Sequence, residues 1–191
     1  MGPVPAIPPT TLRTDRLLLR AFTSDDEDAV LAACEDAEIQ RWTTVPSPYR
    51  RAHARAFVRE LVPSWWAEGS AAVFAVERRG ELAACVGLHR RRPDPAVAEI
   101  GFWCAPGHRG RGVVTEAVAE VAAWGFDQLG LARLEWYAEV GNLASRRVAD
   151  KLGFAPEGVA RGLIAHRGVR VDVWCAALLA GELVRPGPPS D

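Results

Sequence analysis

The stretch GHRGRGVVTEAVAEVAAWGF, residues 107–126, joins a predicted β-strand to a predicted helix through a turn rich in glycine and arginine. From Gly112 onward, apolar residues recur near helical spacing as far as a glycine, a residue that commonly ends helices. Such a turn leaves several backbone N–H groups unpaired at the start of a helix, where the helix dipole also favours negative charge. We therefore predict an anion site, to which Arg109 and Arg111 add positive charge and Thr115 adds a hydroxyl suited to a pyrophosphate.

Two familiar phosphate-binding motifs do not account for this turn. A P-loop requires GxxxxGK[ST], and a dinucleotide-binding turn requires GxGxxG. Here Gly110, Arg111 and Gly112 are followed by Val113, Val114 and Thr115, so both the lysine and the third glycine are missing. Taken alone, the segment also fits a tight turn with exposed arginines.

The composition predicts one globular domain without a strong global charge. The chain has 191 residues, of which 49% are apolar and 25% charged, and its net charge is -1. These values are close to the average for folded domains. Because there is no global basic field, neither nucleic acid nor an anionic membrane is an expected partner, and a phosphate-bearing ligand must be bound locally.

The cysteines and histidines predict no metal site. The four cysteines are far apart and form no CxxC pair, which is typical of reduced core thiols in a cytosolic protein. His53, His108 and His166 have no partner at metal-ligand spacing. The N-terminal MGPVPAIPPT lacks the features of a signal peptide and no apolar run is long enough to span a membrane, so we expect a cytoplasmic protein.

The order of the predicted elements indicates a mixed α/β domain. Residues 1–10 and 185–191 are proline-rich and are predicted as flexible tails, which leaves residues 11–184 as a single domain. The predicted strands lie at residues 16–22, 71–78, 83–90, 98–105, 132–140, 154–163 and 169–179, and the second to fourth form an antiparallel meander. The predicted helices lie at residues 24–34, 51–68, 112–130 and 142–152, with a capping box at residues 24–27 and a bend at Pro63.

Three segments, in this order along the chain, resemble the GNAT N-acetyltransferase superfamily. They are TDRLLLRAFTSDDEDAV (residues 14–30), AEIGFWCAPGHRGRGVVTEAV (98–118) and NLASRRVADKLGF (142–154). Arg109-x-x-Gly112 is similar to the coenzyme A loop of that superfamily, and the three segments look most like the RimJ/RimL-type ribosomal-protein N-terminal acetyltransferases. The resemblance covers nearly all of residues 11–180.

This resemblance implies a mixed α+β GNAT fold that binds acetyl-CoA as co-substrate without a metal. In that fold a central, mostly antiparallel twisted sheet of about seven strands is flanked by helices, and a splayed strand pair forms the acetyl-CoA cleft. A homodimer is a further expectation. The residues expected to contact the coenzyme are Phe102, Trp103, Cys104, Arg109, Gly110, Arg111, Gly112, Val113, Val114, Thr115 and Asn142. Val114 departs from the family pattern, which has glycine or alanine there.

The resemblance also implies an acid and a base for acetyl transfer. Glu99 is the only carboxylate on the AVAEIGFWC strand and is the candidate base, acting through a water, although a strand glutamate is often merely solvent-facing. Many members of the superfamily have a tyrosine as the acid, seven residues after the helix asparagine, but this chain has Ala149 there. Ser145 resembles the serine that serves the RimJ/RimL subgroup instead. The alternative is that Asn142 and Ser145 only cap a helix.

The chemistry of the acceptor amine favours a peptide or protein N-terminus. At pH 7 roughly 10–15% of α-amines but only about 0.04% of lysine side chains are neutral, as attack requires. A small amine of low pKa, such as an aminoglycoside, meets the same criterion, and a non-catalytic coenzyme A-binding regulatory module is the alternative of a different class. We expect Trp42 and Tyr49, together with Trp65 and Trp66, to form an apolar acceptor wall, unless these aromatics belong to the core.

Overall fold

The computed structural model describes residues 6–185 and residue 187, and most of the two predicted tails lies outside this range. Its strands are β1 Leu12–Arg13, β2 Leu18–Arg20, β3 Ala71–Arg78, β4 Glu81–His89, β5 Val97–Cys104, β6 Arg133–Glu139, β7 Ala155–His166 and β8 Val169–Leu179. Its α-helices are α1 Glu27–Cys34, α2 Ala37–Trp42, α3 Arg51–Ala56, α4 Val62–Glu68, α5 Val113–Leu129 and α6 Leu143–Leu152. None of the helices within these residues has the length and apolarity to cross a bilayer.

The strands form one sheet in the order β1-β2-β3-β4-β5-β6-β8-β7, flanked by helices. The mixed α+β fold with a mostly antiparallel sheet is therefore confirmed, with eight strands where about seven were expected. The additional strand is β1, which has two residues. Ile7, in the predicted N-terminal tail, is buried and its N–H donates to the Trp66 carbonyl at 3.0 Å, so the folded part begins before residue 11.

The start of the first helix differs by one residue from the sequence prediction. Thr23, and not Ser24, is the capping residue, because the Asp26 carboxylate accepts from the Thr23 backbone N–H at 2.7 Å. A short 3-10 turn, Ser24–Asp26, then leads into α1. Hydrogen bonds from Arg20 at 2.8 and 2.9 Å also hold the Asp26 carboxylate, which is why a buried acid is tolerated at this position.

The predicted helix at residues 51–68 is interrupted in front of Pro63. Its middle, Phe57–Leu61, is a π-helical turn between α3 and α4. Proline has no N–H to donate to the carbonyl four residues earlier, and the backbone hydrogen bonds just before it span five residues instead of four. The short helix α2 was not predicted; Asp36 caps it by accepting the Ile39 N–H at 2.9 Å.

Strands β5 and β6 are parallel and pair only at their first three residues. The paired residues are Val97 with Arg133, Ala98 with Leu134 and Glu99 with Glu135. Beyond this point β6 continues to pair with β8 as far as Glu139, while β5 pairs only with β4. The two strands therefore diverge and leave an opening in the sheet, which confirms the splayed pair expected from the resemblance.

Strand register divides the side chains near this opening between two faces of the sheet. Paired residues share a face and successive residues alternate, so His89, Glu99, Glu135 and Glu139 lie on one face, here called the Glu99 face. Leu88 lies on the opposite face, here called the α5 face, because a Cβ at Gly125 of α5 would be 3.0 Å from its Cδ1. The opening between β5 and β6 connects the two faces.

Candidate active site

A cavity of about 1010 Å³ occupies the opening between β5 and β6 and extends to both faces of the sheet. This volume is at the upper limit of the usual range of small-molecule sites. The predicted site residues that line it are Trp42, Glu99, Phe102, Trp103, Cys104, Arg109, Gly110, Gly112, Val113, Val114, Thr115, Asn142 and Ser145. Strand divergence thus brings together residues from the β5 end, the α5 turn and α6.

The glycine turn at one end of the cavity has the backbone geometry of an anion site. Gly110 and Gly112 have φ values of 73° and 74°, in the left-handed region that favours glycine. The hydrogen bonds found among the described residues include none from the N–H groups of Gly110, Arg111 or Gly112. Because α5 begins directly afterwards at Val113, these donors and the positive end of the helix dipole meet at one place.

The two arginines of this turn are placed differently. The Arg109 guanidinium lines the cavity and contacts the Asp36 carboxylate, with Nη2 to Oδ1 at 2.5 Å, which lowers the pKa of Asp36. Arg111 is exposed and is not among the residues that line the cavity. Val114 and Thr115 are both buried in the cavity wall. Arg109 therefore links the turn to the N-cap of α2.

Two cations that line the cavity were missed by sequence reasoning. Arg147 and Lys151 of α6 both line it. They are four residues apart, so they share one face of the helix, and this spacing after Asn142 is a signal that could have identified them.

Asn142 caps α6, and the hydroxyl group of Ser145 is available for chemistry in the cavity. The Asn142 side chain caps α6 by accepting the Ser145 N–H at 3.1 Å, as the capping alternative expected. The Ser145 Oγ accepts the indole N–H of Trp136 at 3.0 Å. Because an indole N–H only donates, the Ser145 hydroxyl proton remains available for a partner in the cavity. Ala149, where a tyrosine was considered, is buried.

Glu99 lies on the other face of the sheet, partly buried in the cavity wall. Its Oε2 is 3.0 Å from Arg91 Nε, and its side chain is 27% exposed. Burial raises the pKa of Glu99, the Arg91 charge opposes that rise, and the nearby Glu135 carboxylate adds to it. Glu99 is therefore a carboxylate of increased basicity, which suits a general base.

His89 is a further cavity residue that the sequence analysis did not single out. It is the cross-strand partner of Glu99, and its ring lies over Gly87, where a Cβ would be 2.8 Å from Nε2. The ring also packs edge-on against Trp65 at 6.0 Å between centroids. Burial, together with the Arg91 charge, lowers the pKa of His89 to about 4, so the imidazole is neutral at physiological pH.

The four aromatics expected to form an acceptor wall are divided between the cavity and the core. Trp42 and Trp65 line the cavity, and the Trp42 indole N–H donates to Glu38 Oε2 at 3.0 Å. Tyr49 is buried beside Cys34 and is not among the lining residues. Trp66 packs with Phe74 and Trp124 in the core. Helical periodicity predicts that Trp65 and Trp66 face different surroundings, but which of them faces the cavity depends on how α4 packs against the sheet.

The Glu99 side of the cavity is bordered by the β7–β8 hairpin and α2. At the hairpin tip, the Arg167 guanidinium donates to the Gln40 carbonyl of α2. Gly141, after β6, approaches the Trp42 ring so closely that a Cβ there would be 3.7 Å from it. These long-range contacts bring segments that are far apart in sequence to the wall of one open cavity.

The chain matches a known family and several known proteins. Residues 16–155 match the family model described as an acetyltransferase (GNAT) domain. The chain is 31% identical over 163 residues to the uncharacterized N-acetyltransferase YoaA of Bacillus subtilis (strain 168), covering 84% of this chain and 92% of that protein. It is 30% identical over 90 residues to a ribosomal-protein-serine acetyltransferase of Escherichia coli (strain K12), covering 47% and 50% of the two chains.

The fold is also that of a solved structure. Mycobacterium smegmatis RimJ, in complex with a CoA-disulfide, superposes with a TM-score of 0.79 at 21% identity, over 91% of this chain and 88% of that one. Together with the family match over most of the domain, the sheet and its opening lead to one conclusion: this chain is an N-acetyltransferase and belongs to the GNAT acetyltransferase family.

Proposed function

We propose that this acetyltransferase transfers the acetyl group of acetyl-CoA to the α-amine of a peptide or protein N-terminus, by direct attack while both substrates are bound. The observation that carries the proposal is the placement of Glu99 and Ser145. They belong to opposite faces of the sheet, yet both line the cavity at the opening between β5 and β6. A base and an acid are thus available on the two sides of one reaction centre.

The residues on the α5 face fit acetyl-CoA. The free N–H groups of the glycine turn, with Arg109 and the start of α5, suit a pyrophosphate. The edge of β5 at Phe102, Trp103 and Cys104 has no β6 partner, so its backbone groups are free to pair with the pantetheine arm, and Asn142 lies on the same path. Bound acetyl-CoA supplies the acetyl group as an activated thioester.

Glu99 takes the proton of the attacking amine through a water, and its raised pKa improves it as a base. The free backbone N–H groups at the end of β5 stabilise the developing oxyanion. As the C–S bond of the thioester breaks, Ser145 donates its hydroxyl proton to the sulfur of coenzyme A and regains a proton from solvent water. This hydroxyl proton is free because Trp136 contacts the oxygen only as a donor. Each proton thus has a donor or acceptor in the cavity wall.

The choice of an α-amine rests on its pKa and on one relative. An α-amine is partly neutral at pH 7, whereas a lysine side chain is almost fully charged, so a water-relayed carboxylate is adequate only for the former. The Escherichia coli relative named a ribosomal-protein-serine acetyltransferase supports the same acceptor class.

The test is release of free thiol from acetyl-CoA with two acceptor pools. One pool contains peptides with free Ser, Ala or Thr N-termini, and the other contains aminoglycosides and polyamines. Identical peptides with a blocked N-terminus and an internal lysine serve as the control, and mass spectrometry locates the acetyl group. We expect acetylation of the α-amine. Turnover confined to small amines or to lysine side chains would contradict the proposal, as would coenzyme binding without turnover in either pool.

A further inference from the structure

A second carboxylate on the Glu99 face takes no part in the chemistry proposed above. Glu139 is the last residue of β6 and lines the cavity near the β7–β8 hairpin. Its Oε2 lies 3.0 Å from His166 Nδ1, at the end of β7. Because a carboxylate can only accept, Nδ1 carries the proton of this hydrogen bond.

His166 holds this carboxylate in place from the hairpin. Its side chain is 15% exposed and also lines the cavity. The Nε2 atom is buried and has no hydrogen-bond partner among the described residues. Unpaired buried polar atoms are rare in folded proteins and call for an explanation, of which a ligand is one.

The charges of Glu99 and Glu139 are compensated differently. Glu99 has Arg91 at 3.0 Å. In residues 6–185 and 187, no arginine or lysine lies within 4.0 Å of the Glu139 carboxylate, whose only side-chain hydrogen bond is the one that Oε2 accepts from His166 Nδ1. A third acid of the cavity, Glu38, already accepts from Trp42. Glu139 therefore presents a carboxylate oxygen to the cavity without a fixed cation beside it.

The position of Glu139 separates it from the reacting amine. Glu99 is level with Glu135 in the parallel register, and Glu139 is four residues further along β6. At ~3.3 Å per residue this places Glu139 ~13 Å beyond the level of Glu99, on a strand that diverges from β5. An amine that reacts through a water on Glu99 is too distant to bind Glu139 as well, so Glu139 faces a different part of the acceptor.

We propose that Glu139, oriented by His166, binds a second positively charged group of the acceptor. The inference rests on the proposed function: the acceptor is a peptide whose N-terminus reacts near Glu99 and whose second or third residue is basic. The extended reach of two or three residues, ~3.3–3.6 Å each plus a side chain, matches the separation of the two carboxylates. Glu139 is thus a specificity determinant, and His166 is a positioning residue.

The first experiment compares peptides that differ in one charge. Peptides that begin with Ser and carry either lysine or norleucine at position 2 or 3 are assayed with the wild type and with Glu139→Gln. We expect the wild type to favour lysine by about tenfold in kcat/KM, as for one hydrogen bond to a charged group. In Glu139→Gln the two peptides should become equivalent. Glu60→Gln, at an exposed position outside the cavity, is the matched control and should retain the preference.

Two variants of His166 separate positioning from folding. His166→Asn keeps an N–H near the position of Nδ1, and His166→Leu removes it. We expect His166→Leu to have a several-fold higher KM for the lysine peptide at unchanged kcat. His166→Asn should have a KM close to that of the wild type. If the role of His166 were purely structural, His166→Leu would instead change the kinetic constants for the lysine and norleucine peptides equally.

Binding of small probes tests the inference without turnover. Spermidine and butylamine are titrated calorimetrically into the coenzyme A-loaded protein, as wild type and as Glu139→Gln. Tighter binding of spermidine that is lost in the variant supports the inference even if no peptide is acetylated, a result that would reject only the proposed acceptor class. Equal binding of the two amines, or a spermidine affinity that Glu139→Gln leaves unchanged, would overturn the inference.

Discussion

At Glu99, burial raises the carboxyl pKa above its usual value although Arg91 lies 3.0 Å away. A folded-state pKa above the unfolded one means that this group stabilises the fold at low pH, and that the contribution is lost as the pH rises through the folded pKa. Glu99→Gln should therefore raise the melting temperature at pH 7 and lower kcat by about 10²–10⁴, the usual loss for a general base. Thermal denaturation and thiol release measure the two effects.

Glu135, the register partner of Glu99, is the control because its shift has the opposite sign. Burial opposes its ionisation, but hydrogen bonds from Arg92 at 2.8 Å and Arg133 at 3.2 Å outweigh that cost and lower its pKa. Its contribution to stability is present at neutral pH and lost as the pH falls through the folded pKa, so Glu135→Gln should lower the melting temperature at pH 7. A fully active Glu99→Gln enzyme would remove the base from our mechanism.

The pKa of Glu99 also predicts how the reaction rate depends on pH. Because Arg91 is the main group that lowers the pKa of Glu99, Arg91→Ala should raise that pKa further. The acidic limb of the kcat/KM profile, which reports the base of the free enzyme, should then move to higher pH. An unmoved limb would show that another group controls it.

Ser145 could act as a proton donor or only as the structural partner of Trp136, and variants of the two residues distinguish these roles. Ser145→Ala removes the proton donor and should lower kcat by about 10²-fold or more, within the range for acid catalysis, while the affinity for acetyl-CoA stays nearly the same. Trp136→Phe keeps the hydroxyl and should have the smaller effect. Single-turnover kinetics and calorimetric binding distinguish rate from affinity, and equal losses in both variants would indicate that Ser145 is structural only.

Among the structural elements, the glycine turn before α5 predicts that a substitution at Gly112 weakens coenzyme A binding, an effect that can be measured separately from backbone strain. Gly112 has φ 74° and a Cβ there would approach only Arg16, at 3.7 Å, so Gly112→Ala strains the backbone without a clash. Moving its N–H should weaken coenzyme A binding by about tenfold, the equivalent of one hydrogen bond to a charged group. Isothermal titration with coenzyme A measures this loss.

Gly80, in the turn between β3 and β4, is a matched control for the same strain. Its φ is 79° and no atom lies within 4 Å of a Cβ built there. Gly80→Ala should cost a similar ~1–2 kcal/mol of stability, the usual penalty for a left-handed conformation. It should leave the coenzyme affinity unchanged, and a Gly112→Ala protein of normal affinity would contradict the assignment of the anion site.

For the whole molecule, the opening through the sheet predicts a ternary complex without a covalent enzyme intermediate. Cys104 is a thiol in the cavity wall, but burial raises its pKa to about 11, so it is protonated and weakly nucleophilic at neutral pH. Cys104→Ala should retain at least half of the activity, and initial-rate plots for the two substrates should intersect. Parallel plots, or an acetylated Cys104 peptide, would contradict direct attack. The homodimer also stays a prediction at this scale.

Features that depend on neighbours along the chain could be predicted from the amino-acid sequence. The helix α5, its glycine turn and the Asn142 cap of α6 were predictable because helical periodicity, positive φ at glycine and capping are local properties. The candidate base and acid were identifiable because three motifs occur in the order typical of one family.

Which of these residues share a site, and what surrounds them, depends on the packing of distant segments. The pairs Trp136–Ser145, Asp36–Arg109 and Glu139–His166 are 9, 73 and 27 residues apart, and strand register and hairpin placement bring them together. For the same reason Trp65 reaches the cavity while Trp66 and Tyr49 enter the core. Side-chain surroundings are a long-range property, because the pairing of distant strands and not local pattern sets which face each residue shares.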